Sequence, residues 1–252
     1  MMRNRGAFGV AVLCWLITGN GGAQVPAEAT LATARAAYEA RAEPAQASAA
    51  VDLFRKAATE DPASYEARWE GTRAAYFYGT YVRTDAPDAE KMAIFDRGIT
   101  LAREAVALSP KGVEGHFWLG VLYGVYGEAK GIFKSLSLVP EIKQEMQTCL
   151  ELDPGVEGWG PDRVLGRMYH KLPFFKGGDD KKSAAYLEKS LAGAPTNALT
   201  RLYLAQTYRS EGRKVDAVRL LKEIVGMTPD PRWAPEHPWV KAQAEKLLKK
   251  LQ

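Results

Sequence analysis

The sequence predicts an all-α protein: a right-handed solenoid of helix–turn–helix units, ended by a C-terminal capping helix. Two recurring motifs and the prolines that punctuate them carry this prediction. "HFWLGVLY" (116–123), "DRVLGRMY" (162–169) and "RLYLAQTY" (201–208) each place Leu before Gly or Ala, with Tyr three residues later. Each copy follows a proline: Pro110, Pro154 and Pro195. Between them, "AVDLFRKAATEDP" (50–62), "GITLAREAVALSP" (98–110) and "AVRLLKEIVGMTP" (217–229) set small or apolar residues at steps of four and three, with a proline five further on.

These steps have a physical reason. Spacings of three and four put side chains on one helical face. Gly or Ala at the close-approach point lets a unit's first helix lie near its second, and the aromatic fills the space beyond. Proline cannot continue the second helix and so starts the next unit. Several such motifs in constant order form the tetratricopeptide (TPR) pattern, a helix–turn–helix of roughly 34 residues.

Along the chain the units span 27–62, 63–110, 113–154, 157–195 and 198–229. The first is divergent. The second carries a loop at Thr84–Asp88 and lacks the Leu-Gly pair around Trp69 and Tyr76. In the third, residues 124–145 add about two helical turns. The last unit matches without insertion. A Pro-rich link, "PDPRWAPEHP" (229–238), leads to a final helix over 239–251. Its Val240, Ala244, Leu247, Leu248 and Leu251 share one side, with lysines opposite. That spacing suits a cap on the open end of the stack better than a helix lying on a membrane.

A formal charge of +4 over 252 residues is too small for a dedicated nucleic-acid binder, which concentrates a basic face. Met1–Arg5 is basic, Gly6–Thr18 is apolar, and Gly19–Ala23 is rich in small residues. That order predicts a secretory signal peptide over 1–23, cleaved after about Ala23, and a periplasmic chain. The apolar run is too short to span a bilayer, so no transmembrane segment is expected in the mature chain. Cys14 leaves with the signal and lacks the upstream context of a lipid-modified cysteine, so lipid anchoring is not expected. Cys149 then stands alone, expected as an inert buried thiol.

One stretch imitates an active site. "LGRMYHKLPFFKGGDDKK" (165–182) holds a histidine, two aspartates and a glycine pair. Placed in the repeat, Leu165–Lys171 ends a first helix, Leu172–Asp180 is the turn, and Lys181–Leu191 is the second helix. Pro173 stops the first, Gly177-Gly178 supplies the turn backbone, and Asp179 or Asp180 caps the second. Phe174 and Phe175 are expected tucked under the turn. His170 has no orienting partner beside it in sequence, which general-base catalysis needs. "GVYGEAKG" lacks the ending and the preceding strand of a phosphate loop, and no HExxH, Cys/His ligand pair or G-x-S-x-G elbow occurs. Trp159 and Trp239, each beside a turn, read as core or capping aromatics. The reading is a non-enzyme with no cofactor and no metal.

A solenoid binds through the concave surface of its first helices. The inward positions are Phe117 and Val121 in the third unit, Arg163, Arg167, His170 and Lys171 in the fourth, and Leu202, Gln206 and Arg209 in the fifth. Basic residues gather in the last two units, and arginine suits a carboxylate or an acidic peptide.

"AKGIFKSLSLVPEIKQEMQTCLELDP", "GPDRVLGRMYHKLPFFKGGDDKKSAAYLEKS" and "RLYLAQTYRSEGRKVDAV" carry a family resemblance over roughly residues 45–229. The chain resembles bacterial exported TPR proteins related to the TatT-type components found with TRAP transporters and, more distantly, the regulator of microtubule dynamics group. The resemblance implies an all-α TPR fold and a non-enzymatic role in binding a partner or a ligand, and the partner expected is a protein or peptide in the cell envelope. TatT-type proteins are lipoproteins that oligomerise beside a periplasmic solute-binding protein; the lipid-attachment cysteine is absent here. Two readings follow: an adaptor that holds a protein segment on its concave face, or a transport accessory that holds an organic acid near Arg163, Arg167 and Arg209. An open groove favours the first and a closed pocket the second.

Overall fold

The computed structural model describes residues 21–131 and 136–251. All but the last three residues of the expected leader, Cys14 included, lie outside them. The helices are α1 (Gly21–Glu39), α2 (Pro44–Glu60), α3 (Tyr65–Phe77), α4 (Asp88–Leu108), α5 (Val113–Lys130), α6 (Val139–Leu152), α7 (Val156–Lys171), α8 (Asp180–Gly193), α9 (Ala198–Ser210), α10 (Lys214–Gly226) and α11 (His237–Leu251). Each packs on the next along the chain, and α11 returns onto both α9 and α10. The fold is an all-helical α-solenoid.

Local chemistry sets the ends. The side chains of Ser64, Asp179 and Asn197 accept hydrogen bonds from the amides of Ala67, Lys182 and Thr200, capping α3, α8 and α9. The last helix of four successive pairs stops at Asp61, Ser109, Asp153 or Ala194, all with φ between −124° and −155°. Each of these residues precedes a proline, whose ring bars the helical conformation one position upstream. α3 does not stop at Phe77 but runs into a π-helical turn over Tyr78–Val82.

The core falls into four apolar clusters: one among α1, α2 and α3, a small one of Ala57, Ala58 and Ala67 between α2 and α3, one spanning α3 to α7, and one from α8 to α11. Gly166 of α7 shows why the repeat needs a small residue. A Cβ there would lie 2.6 Å from Leu187 Cγ and 3.1 Å from the Ser183 carbonyl oxygen of α8. In α11, Val240, Ala244 and Leu247 are buried against α9 and α10.

The α7–α8 turn departs from the sequence reading at one point. Asp179 caps α8, but Phe174 and Phe175 are 90% and 70% exposed instead of packing under the turn. A short 3-10 turn over Phe174–Lys176 follows the extended Pro173 and directs both rings away from the solenoid.

The segment between α10 and α11 is more than a link. It crosses the open side of the solenoid and returns to the first helices. Arg41, just after α1, donates from Nη2 to the Arg232 carbonyl at 3.1 Å and to the Glu236 carboxylate at 3.3 Å. Trp239 meets Tyr81 edge to face with ring centroids 5.4 Å apart. This strap, from the short turn Pro231–Trp233 into the start of α11, joins residues nearly 200 positions apart and partly covers the concave side.

Candidate functional site: a chamber behind the strap

The strap and the concave helix faces line a partly open chamber of about 600 Å³. α3 contributes Arg73 and Tyr76, and the π-turn adds Tyr81. Phe117, Trp118, Val121 and Glu128 come from α5; Arg163, Val164, Arg167, Met168 and Lys171 come from α7. Tyr203 comes from α9, while Arg232, Trp233, Glu236 and His237 come from the strap and its junction with α11. The walls are therefore aromatic and aliphatic, with guanidinium groups set among them.

The α7 stripe follows from helix geometry. Arg163, Arg167 and Lys171 recur every four residues, each turned by about 40° from the last, and Val164 and Met168 lie beside them. His170 falls off the edge of that stripe, towards α8. Its Nδ1 is 2.7 Å from Asp180 Oδ1, so the orienting partner that sequence could not supply exists ten residues later. The pair ties the turn together outside the chamber lining.

The other sequence candidates divide. Phe117, Val121, Arg163, Arg167 and Lys171 line the chamber. Gln206 stands behind it, its Oε1 accepting from Arg167 Nη1 at 2.6 Å. Leu202 is buried in the core of α8–α11. Arg209, at the C-terminal end of α9, is exposed and is not among the lining residues. The chamber reaches α9 only through its first half, from Ala198 to Tyr203.

The basic residues are not equivalent. Arg163 is buried and donates to the carbonyls of Gly158 and Glu157, both at 3.2 Å. Those carbonyls belong to a left-handed turn: Glu157, Gly158 and Trp159 have φ of 49°, 64° and 53°. Left-handed backbone at a residue with a Cβ costs about 1–2 kcal/mol, so Arg163 acts as its clamp. Arg167 is 3.3 Å from Glu128 and lies over Tyr203 at 4.3 Å; Lys171 shares Glu128 at 3.4 Å. The inner face of the fourth unit is thus partly neutralised from α5.

Arg73 differs. It lies over the Tyr38 ring at 4.3 Å and the Trp69 ring at 5.1 Å, and among the described residues no carboxylate pairs with it. Its Nε is buried without an acceptor, and so is Nε1 of Trp118, another lining residue. A buried donor without an acceptor costs about 1–3 kcal/mol. Burial also raises the phenols of Tyr76, Tyr81 and Tyr203 above their ordinary value, so they stay neutral donors.

Sequence reasoning missed Arg73, Trp118, Tyr203 and the whole strap. The dense aromatics of "AAYFYGTYV" (74–82) were an available signal. The return of residues 229–239 to α1 left none. Among the described residues no group of three or more His, Cys, Asp or Glu could hold a metal, and no helix is long and apolar enough to cross a membrane. Cys149 is buried, and desolvation first, then nearby carboxylates, push its thiol up to about 12.

The family model described as Regulator of microtubule dynamics protein 1-3 matches residues 30–157, just over half of the chain, and a tetratricopeptide repeat model matches 176–235. No curated protein matches. Among solved structures, a thermophilic TPR protein of Thermus thermophilus aligns with a TM-score of 0.64 at 18% identity, over 88% of this chain and 99% of its own. PilF of Pseudomonas aeruginosa aligns at 0.51 and 17%, over 91% and 93%. At such identities the likeness establishes the fold.

Proposed function

Since the chain belongs to the regulator of microtubule dynamics family and its fold is that of an interaction scaffold, we propose that it is a non-enzymatic binding protein whose chamber holds a small organic anion with an apolar body. The observation that carries this reading is the strap, which turns a concave groove into a partly covered chamber lined by aromatic rings and the guanidinium groups of Arg73 and Arg167. A chamber of about 600 Å³ falls in the size range of small-molecule pockets, which are mostly apolar with a few placed polar groups. Arg73 and Arg167 supply positive charge for a carboxylate or similar head, and the aromatic walls take the body. Size, aromatic walls and inward-facing guanidinium groups support the ligand-holding reading.

One observation supports the adaptor as a second reading: a turn-rich segment of the chain, "PDPRWAPEHP", already packs on the concave side. A partner with a similar acidic segment would compete for Arg41, which Glu236 holds. In either case, the pattern of residues 1–23 supports action in the periplasm. The resemblance to TatT-type proteins supports work beside a solute-binding protein in a TRAP-type system.

The test is calorimetric titration of the purified chain with straight-chain and aryl carboxylates, using wild type, Arg73→Met and Arg209→Met. Binding that falls about tenfold or more in Arg73→Met, the worth of a charge-assisted hydrogen bond, and stays unchanged in Arg209→Met supports the chamber. No heat with any carboxylate, alongside binding of a synthetic 229–238 peptide to a strap-deleted chain, favours the adaptor.

A further inference from the structure

We propose that the α7–α8 turn is a docking element for an anionic lipid surface. This goes beyond the chamber reading and does not depend on it. Phe174 and Phe175 are the exposed aromatic side chains among the described residues, at 90% and 70%. A rigid backbone holds them out. The amides of Lys176 and Gly178 both donate to the Pro173 carbonyl, at 2.8 and 3.0 Å, and that of Asp179 donates to the Tyr169 carbonyl at 3.1 Å. Gly177 is left-handed at φ 89°, and a Cβ on Gly178 would lie 1.9 Å from the Leu172 carbonyl oxygen. Burying two Phe rings under this turn was open to the chain in principle; a tightly hydrogen-bonded turn presents them to solvent instead.

The surrounding charge identifies the partner. Lys176 lies in the turn, and Lys181 and Lys182 lie in the first turn of α8. A helix macrodipole disfavours cations at that end, so these lysines do not serve the helix. The local acids are engaged: Asp179 caps α8, and Asp180 holds His170. Among the described residues neither Lys176 nor Lys181 has a carboxylate within ion-pair distance. A protruding pair of rings needs a matching pocket to dock on a protein. A bilayer interface accepts any convex apolar tip, with flanking lysine heads held at the level of the lipid phosphates.

The test places an environment-sensitive dye on the turn itself, at Phe175→Cys in the full chain with Cys14→Ser; Cys149 is buried and stays unlabelled. With vesicles of phosphatidylcholine and phosphatidylserine, dye emission should shift to the blue, and added salt should reverse it. The same dye at Asp52→Cys on α2 should not respond. Each of Lys176→Gln and Lys181→Gln should raise the lipid concentration needed about fivefold, the worth of one lysine near an anionic surface. No shift at position 175, or an equal shift with phosphatidylcholine alone, overturns the proposal. So does a wild-type dimer that Phe174→Ser/Phe175→Ser converts to monomer, because the turn would then be a contact between copies.

Discussion

Gly120 and Gly166 occupy the same place in the repeat but face different neighbours. A Cβ at Gly120 would meet Met146 Cε at 2.4 Å, the far end of a flexible chain, with Glu145 Cβ next at 3.3 Å. At Gly166 it would meet the branch carbon of Leu187 and a backbone oxygen. A methionine terminus can move at small cost, whereas a branched side chain and a backbone cannot. Gly166→Ala should therefore cost about 2 kcal/mol in chemical denaturation, and Gly120→Ala less than about 1 kcal/mol. Equal losses would mean that Met146 is held as rigidly as Leu187. The two positions look alike in sequence because the motif records only that something small is needed there.

Among the elements, α7 has the least regular start. Residues 157–159 turn left-handed, with the Trp159 carbonyl accepting from Ser190 Oγ at 2.9 Å and Gly158 packed under Trp233 of the strap. Arg163 holds the two carbonyls before it. Arg163→Met keeps the aliphatic stem and removes both charge-assisted bonds, so it should destabilise the chain by about 2 kcal/mol. Glu157→Gly should do the reverse, raising the unfolding midpoint by relieving about 1 kcal/mol of left-handed strain. A stabilised Arg163→Met or a destabilised Glu157→Gly would contradict the clamp. This also settles how Arg163 is to be used: its loss disturbs the chamber wall, so Arg73 is the cleaner probe of ligand binding.

At the scale of the whole molecule, the strap is held by the Arg41–Glu236 ion pair, the Arg41–Arg232 carbonyl bond, the Tyr81–Trp239 contact and its junction with α11. His237, the first residue of α11, is buried, and desolvation, with Lys241 one turn on, lowers its imidazole below the ordinary value of 6.5. A base with a lowered folded value contributes stability that is present above 6.5 and lost as pH falls through that lowered value. Glu236 works in the opposite sense. Burial raises its carboxyl above 4.5 despite Arg41, so its contribution is complete below 4.5 and declines as pH rises through the raised value. Hydrogen exchange over residues 231–240 should therefore speed up as pH falls below 6.5, after correction for the intrinsic rate, and His237→Asn should flatten that limb. An unchanged profile in the variant would place the titrating group elsewhere.

Periodicity, small residues at close approach and prolines determine the repeat because they act locally. The step from Gly98 to Ala102 to Ala105, or a proline after Asp153, constrains the residues within a turn or two, and the helices form accordingly. Inner-face residues of α7 were legible for the same reason, as one stripe of one helix. His170 was misplaced by a rotation too small for counting to resolve, and the exposure of Phe174 and Phe175 depends on a hydrogen-bonded turn rather than on their hydrophobicity. Closure of the solenoid could only emerge in three dimensions. Arg41 meets Glu236, and Tyr81 meets Trp239, because small rotations accumulate over ten helices until the end returns to the beginning. No pair of residues in the sequence encodes that sum, so the chamber, its unpartnered donors and the strap over it belong to the tertiary structure.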